Sequence, residues 1–218
     1  GACVLPQPGD IEENEPFGGC ADEYVDEFNG GCNSPIPAFS PIDCGDTVHG
    51  ESGTFLVAGG QFRDTDWWLV TVGGTGAILT WTVTADFPVL IGFVAQPCPQ
   101  TQFIAGTPVV GAACAEVTST TACLPAGQYV AFVAPSVFAG VACGSQYRGT
   151  LTCTPCEPPP PPANDLCANA QLIECGETVA GSNIDSTTDG FAPCGAAGLD
   201  VWYKFVASSA TATLSTCV

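Results

Sequence analysis

Two stretches of this chain are copies of one pattern, and that constrains the fold more than any other feature. Cys44-Gly-Asp-Thr-Val-His-Gly50 returns as Cys175-Gly-Glu-Thr-Val-Ala-Gly181, and Asp66-Trp67-Trp68 returns as Val201-Trp202-Tyr203. From the tryptophan onward the copies align without a gap, so Leu79-Thr80-Trp81-Thr82-Val83 lies over Leu214-Ser215-Thr216-Cys217-Val218. The part of the first copy that runs from Thr84 to Cys156 has no counterpart in the second. The expectation is one complete domain followed by a partial one. A half-built domain leaves a sheet edge and an apolar face uncovered, so it needs further chain or another subunit to complete it.

Fourteen cysteines in 218 residues point to an oxidising compartment, because a reducing cytosol would leave them as thiols. The even count reads as up to seven disulfides. A zinc–thiolate reading has little support: Cys153 and Cys156 form the only Cys-x-x-Cys, and the single histidine, His49, follows no ligand spacing. Twenty-two acids face three cations, Arg63, Arg148 and Lys204, for a net charge of −19. Such a surface excludes nucleic acid as an expected partner, since phosphate binding needs clustered Lys and Arg. No apolar run reaches the ~20 residues of a membrane-spanning helix, so no membrane insertion is expected.

Proline marks the joints. Residues 1–19 read as an N-terminal linker, because Cys3-Val-Leu-Pro parallels Cys156-Glu-Pro-Pro. Residues 157–163 read as a second linker, whose five consecutive prolines favour stiff polyproline II. Between them lies a complete domain at 20–156, and after them a partial repeat at 164–218. Inside the complete domain the pattern has period two: Leu79, Trp81 and Val83 alternate with Thr80, Thr82 and Thr84, a strand with one apolar and one hydroxylated face. Similar runs occur at 54–57, 67–72, 88–95, 128–134 and 147–153, and in the second copy at 178–182, 200–206 and 211–217, the last two expected to pair. Helical signal is confined to the surroundings of 22–28 and 165–172. The fold class is therefore all-β, an antiparallel, jelly-roll-like β-sandwich followed by a partial second β domain, with Trp67, Trp68 and Trp81 as core material.

The string Pro161-Pro-Ala-Asn164-Asp165-Leu166-Cys167, then Cys175-Gly-Glu-Thr-Val-Ala-Gly181, Thr188-Asp189-Gly190 and Asp200-Val-Trp-Tyr-Lys-Phe205, resembles the start of secreted bacterial repeat domains of the pre-peptidase C-terminal type. The first copy, with Asn29-Gly-Gly-Cys32-Asn-Ser34 and Arg63-Asp-Thr-Asp-Trp67, is similar to a divergent member of that group. The resemblance implies a β-sandwich strung in tandem on extracellular proteins, and supplies no catalytic residue.

Calcium is the cofactor worth testing, since hard cations take oxygen ligands from Asp, Glu and nearby carbonyls. The candidate ligands are Asp64 and Asp66, with the acidic block Asp10, Glu12, Glu13, Glu15, Asp22, Glu23, Asp26 and Glu27. In the second copy they are Asn164, Asp165, Asp189 and Asp200. None forms an EF-hand loop, and a solvated acidic surface is the alternative. His49 has Ala180 at its equivalent position, so the local frame forms without it and a Ser-His-Asp triad is not indicated. Because Cys32 and Cys44 occupy the frame of Cys167 and Cys175, each set is expected to pair internally, and Cys194 and Cys217 are then the remaining two in the second copy, which would cross-link it if they pair. No connectivity is read for the remaining cysteines.

Two functions fit. One is a non-enzymatic structural subunit of an extracellular filament or surface assembly, built by self-association of disulfide-stapled sandwiches. The other is a non-catalytic module of a large secreted enzyme or adhesin that binds calcium or polysaccharide.

Overall fold

The computed structural model describes residues 3–95, 98, 102–157, 160–188 and 198–215. Two compact units divide the chain, Gly1–Cys156 and Glu157–Val218.

The first unit is a β-sandwich. Its strands are β1 (Ile11–Glu12), β2 (Ser40–Pro41), β3 (Thr47–Ser52), β4 (Thr54–Val57), β5 (Gly60–Arg63), β6 (Asp66–Val72), β7 (Ala77–Ala85), β8 (Val89–Ala95), β9 (Val109–Gly111), β10 (Val117–Thr120), β11 (Gly127–Pro135) and β12 (Ser145–Pro155). One sheet runs β1-β3-β12-β7-β10 and the other β2-β6-β11-β8-β9, while β4 and β5 form a separate hairpin. Pairing is antiparallel except for β1 on β3 and β2 on β6.

Alternation places each residue. On β7, Leu79, Trp81 and Val83 are fully buried, and they meet Tyr147 and Leu151 of β12, Trp68 and Val70 of β6, and Ile91 and Phe93 of β8 in one core. Each such side chain contributes about 1.5–3 kcal/mol by leaving water. Gly149 of β12 belongs to this core, because the Trp81 ring occupies the space where a Cβ would stand. The other face of the first sheet is a hydroxyl ladder: Thr47 bonds Thr150 at 2.9 Å, Thr82 bonds Thr118 at 3.1 Å and Thr80 bonds Thr120 at 3.3 Å. Trp67 departs from the expectation of a shared tryptophan core. It points to the opposite face of β6 from Trp68 and heads a second cluster with Val94, Val130, Phe132 and Ala134, under Phe39 and Phe103.

Five disulfides staple this unit: Cys3–Cys114, Cys20–Cys143, Cys32–Cys98, Cys44–Cys153 and Cys123–Cys156. The expected Cys32–Cys44 clamp is thus incorrect, and strand register explains why. Thr47 opposes Thr150 in the β3–β12 ladder, and three residues further along the same register Cys44 opposes Cys153. Cys32 instead ties the loop over the outer face of the second sheet to the chain beyond β8.

The reading of residues 1–19 as a linker also fails. Cys3 is bonded to Cys114, Val4 is buried, and β1 extends the first sheet. The Arg148 guanidinium grips the Asp10 carboxylate through two bonds of 2.9 Å and holds it below its ordinary pKa. The segment is an integral strap of the first unit.

The second unit is sparsely organised. A 3-10 turn covers Cys167–Asn169, and β13 (Gln171–Leu172) pairs in parallel with β14 (Tyr203–Lys204). The expected pairing of 200–206 with 211–217 does not form among the described residues: β14 is two residues long, and 211–215 carry no strand. The run at 178–182 is not a strand either. Alternating sequence makes a stable strand only when a covered apolar face rewards it, and that cover is missing here. No bond joins Cys167 to Cys175, another departure from expectation. The Cys175 sulfur lies 3.9 Å from the Val206 carbonyl oxygen and 3.8 Å from the Ser208 hydroxyl. Its counterpart Cys44 finds a partner on β12, and the described residues of 157–218 hold no strand equivalent to β12. Cys194, Cys217 and Asp189 lie outside the described residues.

Candidate metal centre

The strap delivers acids to the mouth of the sandwich. Parallel pairing of β1 with β3 sets Ile11 opposite Val48 and Glu12 opposite His49, and Glu12 meets the His49 Nδ1 at 2.8 Å. One residue on, the Glu13 N–H donates to the His49 carbonyl, which turns the Glu13 side chain inward. Its carboxylate accepts from the Glu51 N–H at 2.9 Å, the Tyr147 hydroxyl at 3.3 Å and the Asn29 amide.

Four more carboxylates gather there. Glu15 accepts from the Tyr24 hydroxyl at 3.1 Å, and Asp26 accepts from the Phe28 and Asn29 N–H groups. Asp64 and Asp66 come from the turn into β6 and its first residue, and both are buried. Gly19, at φ +67, presents bare backbone to the Asp64 carboxylate, where any side chain would collide. Carboxylate oxygens of Glu13, Glu15 and Asp66 lie within 4.8 Å of one another, and so do those of Glu15, Asp26 and Asp64. Glu15 joins the two triads.

Burial without counter-charge is the notable property of this cluster. Asp66 is 0% exposed and neither of its carboxylate oxygens has a hydrogen-bond donor; Asp64 Oδ2, Glu15 Oε2 and the fully buried Asn29 Oδ1 also lack one. The nearby cations are engaged elsewhere: Arg148 holds Asp10, and Arg63 bonds the Pro135 carbonyl and covers the Phe138 ring. Desolvation therefore pushes Glu13 up to about 7 and Glu15, helped by repulsion from Asp26 and Glu13, up to about 9. Asp64 and Asp66 are driven well above the carboxylate range for the same reasons, burial first and neighbouring acids second. Without a cation the site must carry protons. Each triad offers oxygen ligands alone, the kind that hard divalent cations such as calcium prefer, and no sulfur or imidazole.

Of the ligands expected from sequence, Asp64 and Asp66 are at this site, with Glu13, Glu15 and Asp26 of the acidic block. Of the rest of that block, Asp22 caps the Leu56 N–H, Glu23 the Ala58 N–H, Asp10 holds Arg148 and Glu12 meets His49, while Glu27 is exposed and away from the cluster. Asn29 was not foreseen, although its place in the Asn29-Gly-Gly turn, whose carbonyl receives the Trp67 N–H, directs it to the start of β6. The second-copy set does not converge among the described residues. The Asp165 carboxylate accepts from the Thr187 N–H and hydroxyl at 2.6 and 2.7 Å, Asn164 donates to the Trp202 carbonyl at 3.0 Å, and Asp200 keeps one buried oxygen without a partner. No protein-family model matches the chain, and no curated protein is similar to it.

Proposed function

We propose that the chain is a non-catalytic structural protein of the extracellular space, which associates with copies of itself into a filament or surface assembly. The observation that carries this reading is the state of the second unit. Among its described residues no hydrophobic side chain is buried, while Ile184, Leu199, Phe205, Val206 and Leu214 stand exposed at 42–79%. A sheet of two residues per strand is marginal in water, and these five side chains are apolar surface that a partner copy would cover. Five disulfides in the first unit fit an oxidising exterior. Sedimentation velocity and electron microscopy of the full chain test the idea. Concentration-dependent oligomers or fibres are expected, and Val206→Asp with Leu214→Asp abolishes them. A wild-type chain that stays monomeric while its 157–218 amides resist exchange refutes self-association.

A second reading rests on its own observation, the buried carboxylates without donors: the first unit holds calcium. Terbium titration reads this directly, because Trp67 and Trp68 adjoin Asp66 and sensitise lanthanide emission. Emission that calcium displaces, and that Asp66→Asn removes, is expected. Equal emission from the variant refutes the site.

A further inference from the structure

Five carboxylates gather at the mouth of the sandwich, but they do not meet at one point. Oxygens of Glu13, Glu15 and Asp66 form one triad and those of Glu15, Asp26 and Asp64 another, each within 4.8 Å, and the five do not form a single group at that spacing. Ligands of one calcium ion sit about 2.3–2.6 Å from it and so lie at most ~5 Å from one another. One ion therefore serves one triad and leaves two carboxylates of the other outside its shell.

Either choice strands a buried acid. With an ion in the first triad, Asp64 remains, 2% exposed and with no donor to its Oδ2. With the ion in the second, Asp66 remains, 0% exposed and without a donor to either oxygen. Unpartnered buried oxygen thus stands in both triads. Charge leads to the same count: against the five carboxylates, one divalent ion leaves three negative charges uncompensated and two ions leave one. A buried charge without its counter-charge is strongly destabilising.

The triads differ in their surroundings. A groove of about 620 Å³ beside the β4–β5 hairpin is lined by Tyr24, Asp26 and Asp64 but not by Glu13, Glu15 or Asp66. The second triad is therefore the outer one, open to water. Glycine makes room for it: a Cβ at Gly19 would strike the Asp64 carboxylate, and one at Gly30 would strike that of Asp26. The first triad is closed in by the Glu51 N–H and by the Asn29 amide, whose own Oδ1 is buried without a donor. Glu15 stands between them. Its Oε1 accepts from the Tyr24 hydroxyl, while its buried Oε2 has no partner.

We propose that the cluster holds two calcium ions, an inner one on Glu13, Glu15 and Asp66 and an outer one on Glu15, Asp26 and Asp64, with the Glu15 carboxylate shared between them. This rests on the calcium reading above and adds the number of ions and their order. The inner ion fills first, because Asp66 has no other source of compensation, and it anchors the carboxylate that the outer ion needs. The outer ion exchanges through the groove, which also admits the water ligands that three carboxylates leave wanting in a shell of six to eight.

Two experiments on the full chain, stripped of metal with chelator at neutral pH, test the proposal. Equilibrium dialysis against calcium reads the stoichiometry. Wild type is expected to bind two ions, Asp26→Asn one and Asp66→Asn none, while Glu27→Gln, at an exposed acid away from the cluster, keeps two. A single ion in the wild type overturns the pair and leaves the calcium reading standing; no ion in the wild type removes both. Two ions in Asp26→Asn, or one in Asp66→Asn, overturn the sharing of Glu15 in this order. The second experiment needs no variant. Protein loaded with terbium and europium in equal amounts, at two ions per chain, is excited through tryptophan and the terbium lifetime is followed. Neighbouring sites place europium beside terbium, so part of the emission decays faster than in protein loaded with terbium alone. Equal lifetimes in the two preparations overturn the pair.

Discussion

Removing the cation should invert the pH dependence of stability in the first unit. In metal-free protein the buried acids hold protons that the unfolded chain releases once pH passes the ordinary carboxylate range. Their folded pKa values are raised, so the stability they contribute is full at low pH and is lost as pH rises through those values. For Glu13, raised from 4.5 to about 7 by burial, the difference at 1.36 kcal/mol per unit is about 3 kcal/mol. Glu15, raised to about 9, extends the loss to higher pH. A loss of this size lowers the melting temperature by roughly 6–12 °C for a domain of this length. With calcium the sign reverses, because deprotonated ligands bind the ion and binding stabilises the folded state by about 4 kcal/mol at a thousandfold excess over Kd. The assay is thermal unfolding of the full chain, followed by tryptophan emission, at pH 5 and pH 8 with chelator or with calcium. Chelated protein should melt higher at pH 5, and calcium-loaded protein higher at pH 8. Chelated protein that is equally stable or more stable at pH 8 would show that the cluster does not carry the protons its burial demands.

Other expectations follow from single contacts. Tyr147→Phe removes the acceptor that the Trp68 indole reaches at 2.9 Å and a donor to Glu13, and should cost about 1–3 kcal/mol in urea unfolding. Gly149→Ala drives a methyl into the Trp81 ring and should cost about 1–3 kcal/mol, with a changed near-ultraviolet dichroism of the tryptophans. Leu151→Ala empties a fully buried core position and should cost about 2–5 kcal/mol. Non-reducing peptide mapping should recover Cys44 with Cys153 and Cys32 with Cys98; a Cys32–Cys44 peptide would contradict the β3–β12 register.

The period-two runs were legible without coordinates because alternation is a local property. β6, β7, β8, β11 and β12 fall where Trp67–Val72, Leu79–Val83, Pro88–Ala95, Gln128–Ala134 and Tyr147–Cys153 place them. β3 was missed as a strand, although its Thr-Val-His-Gly was singled out as half of the repeat. The short edge strands β9 and β10 were missed too, for they carry few large apolar residues and are held by neighbours rather than by propensity. Asp64 and Asp66 were found because two acids at a strand entry offer oxygen ligands for a hard cation, whereas Asn29 gave no signal of its own.

Composition and alternation by themselves determined an all-β, disulfide-rich chain with an apolar core and a threonine face. Tertiary structure alone decided which cysteines meet, because Cys44 and Cys153 become neighbours only when two strands far apart in sequence come into register. It also turned residues 3–19 from an apparent linker into a strap, and brought Glu13, Glu15 and Asp26 against Asp64 and Asp66. Whether an acid is solvated or desolvated depends on what lies beside it in space. Local sequence carries the charge but not the neighbours that make it costly to bury.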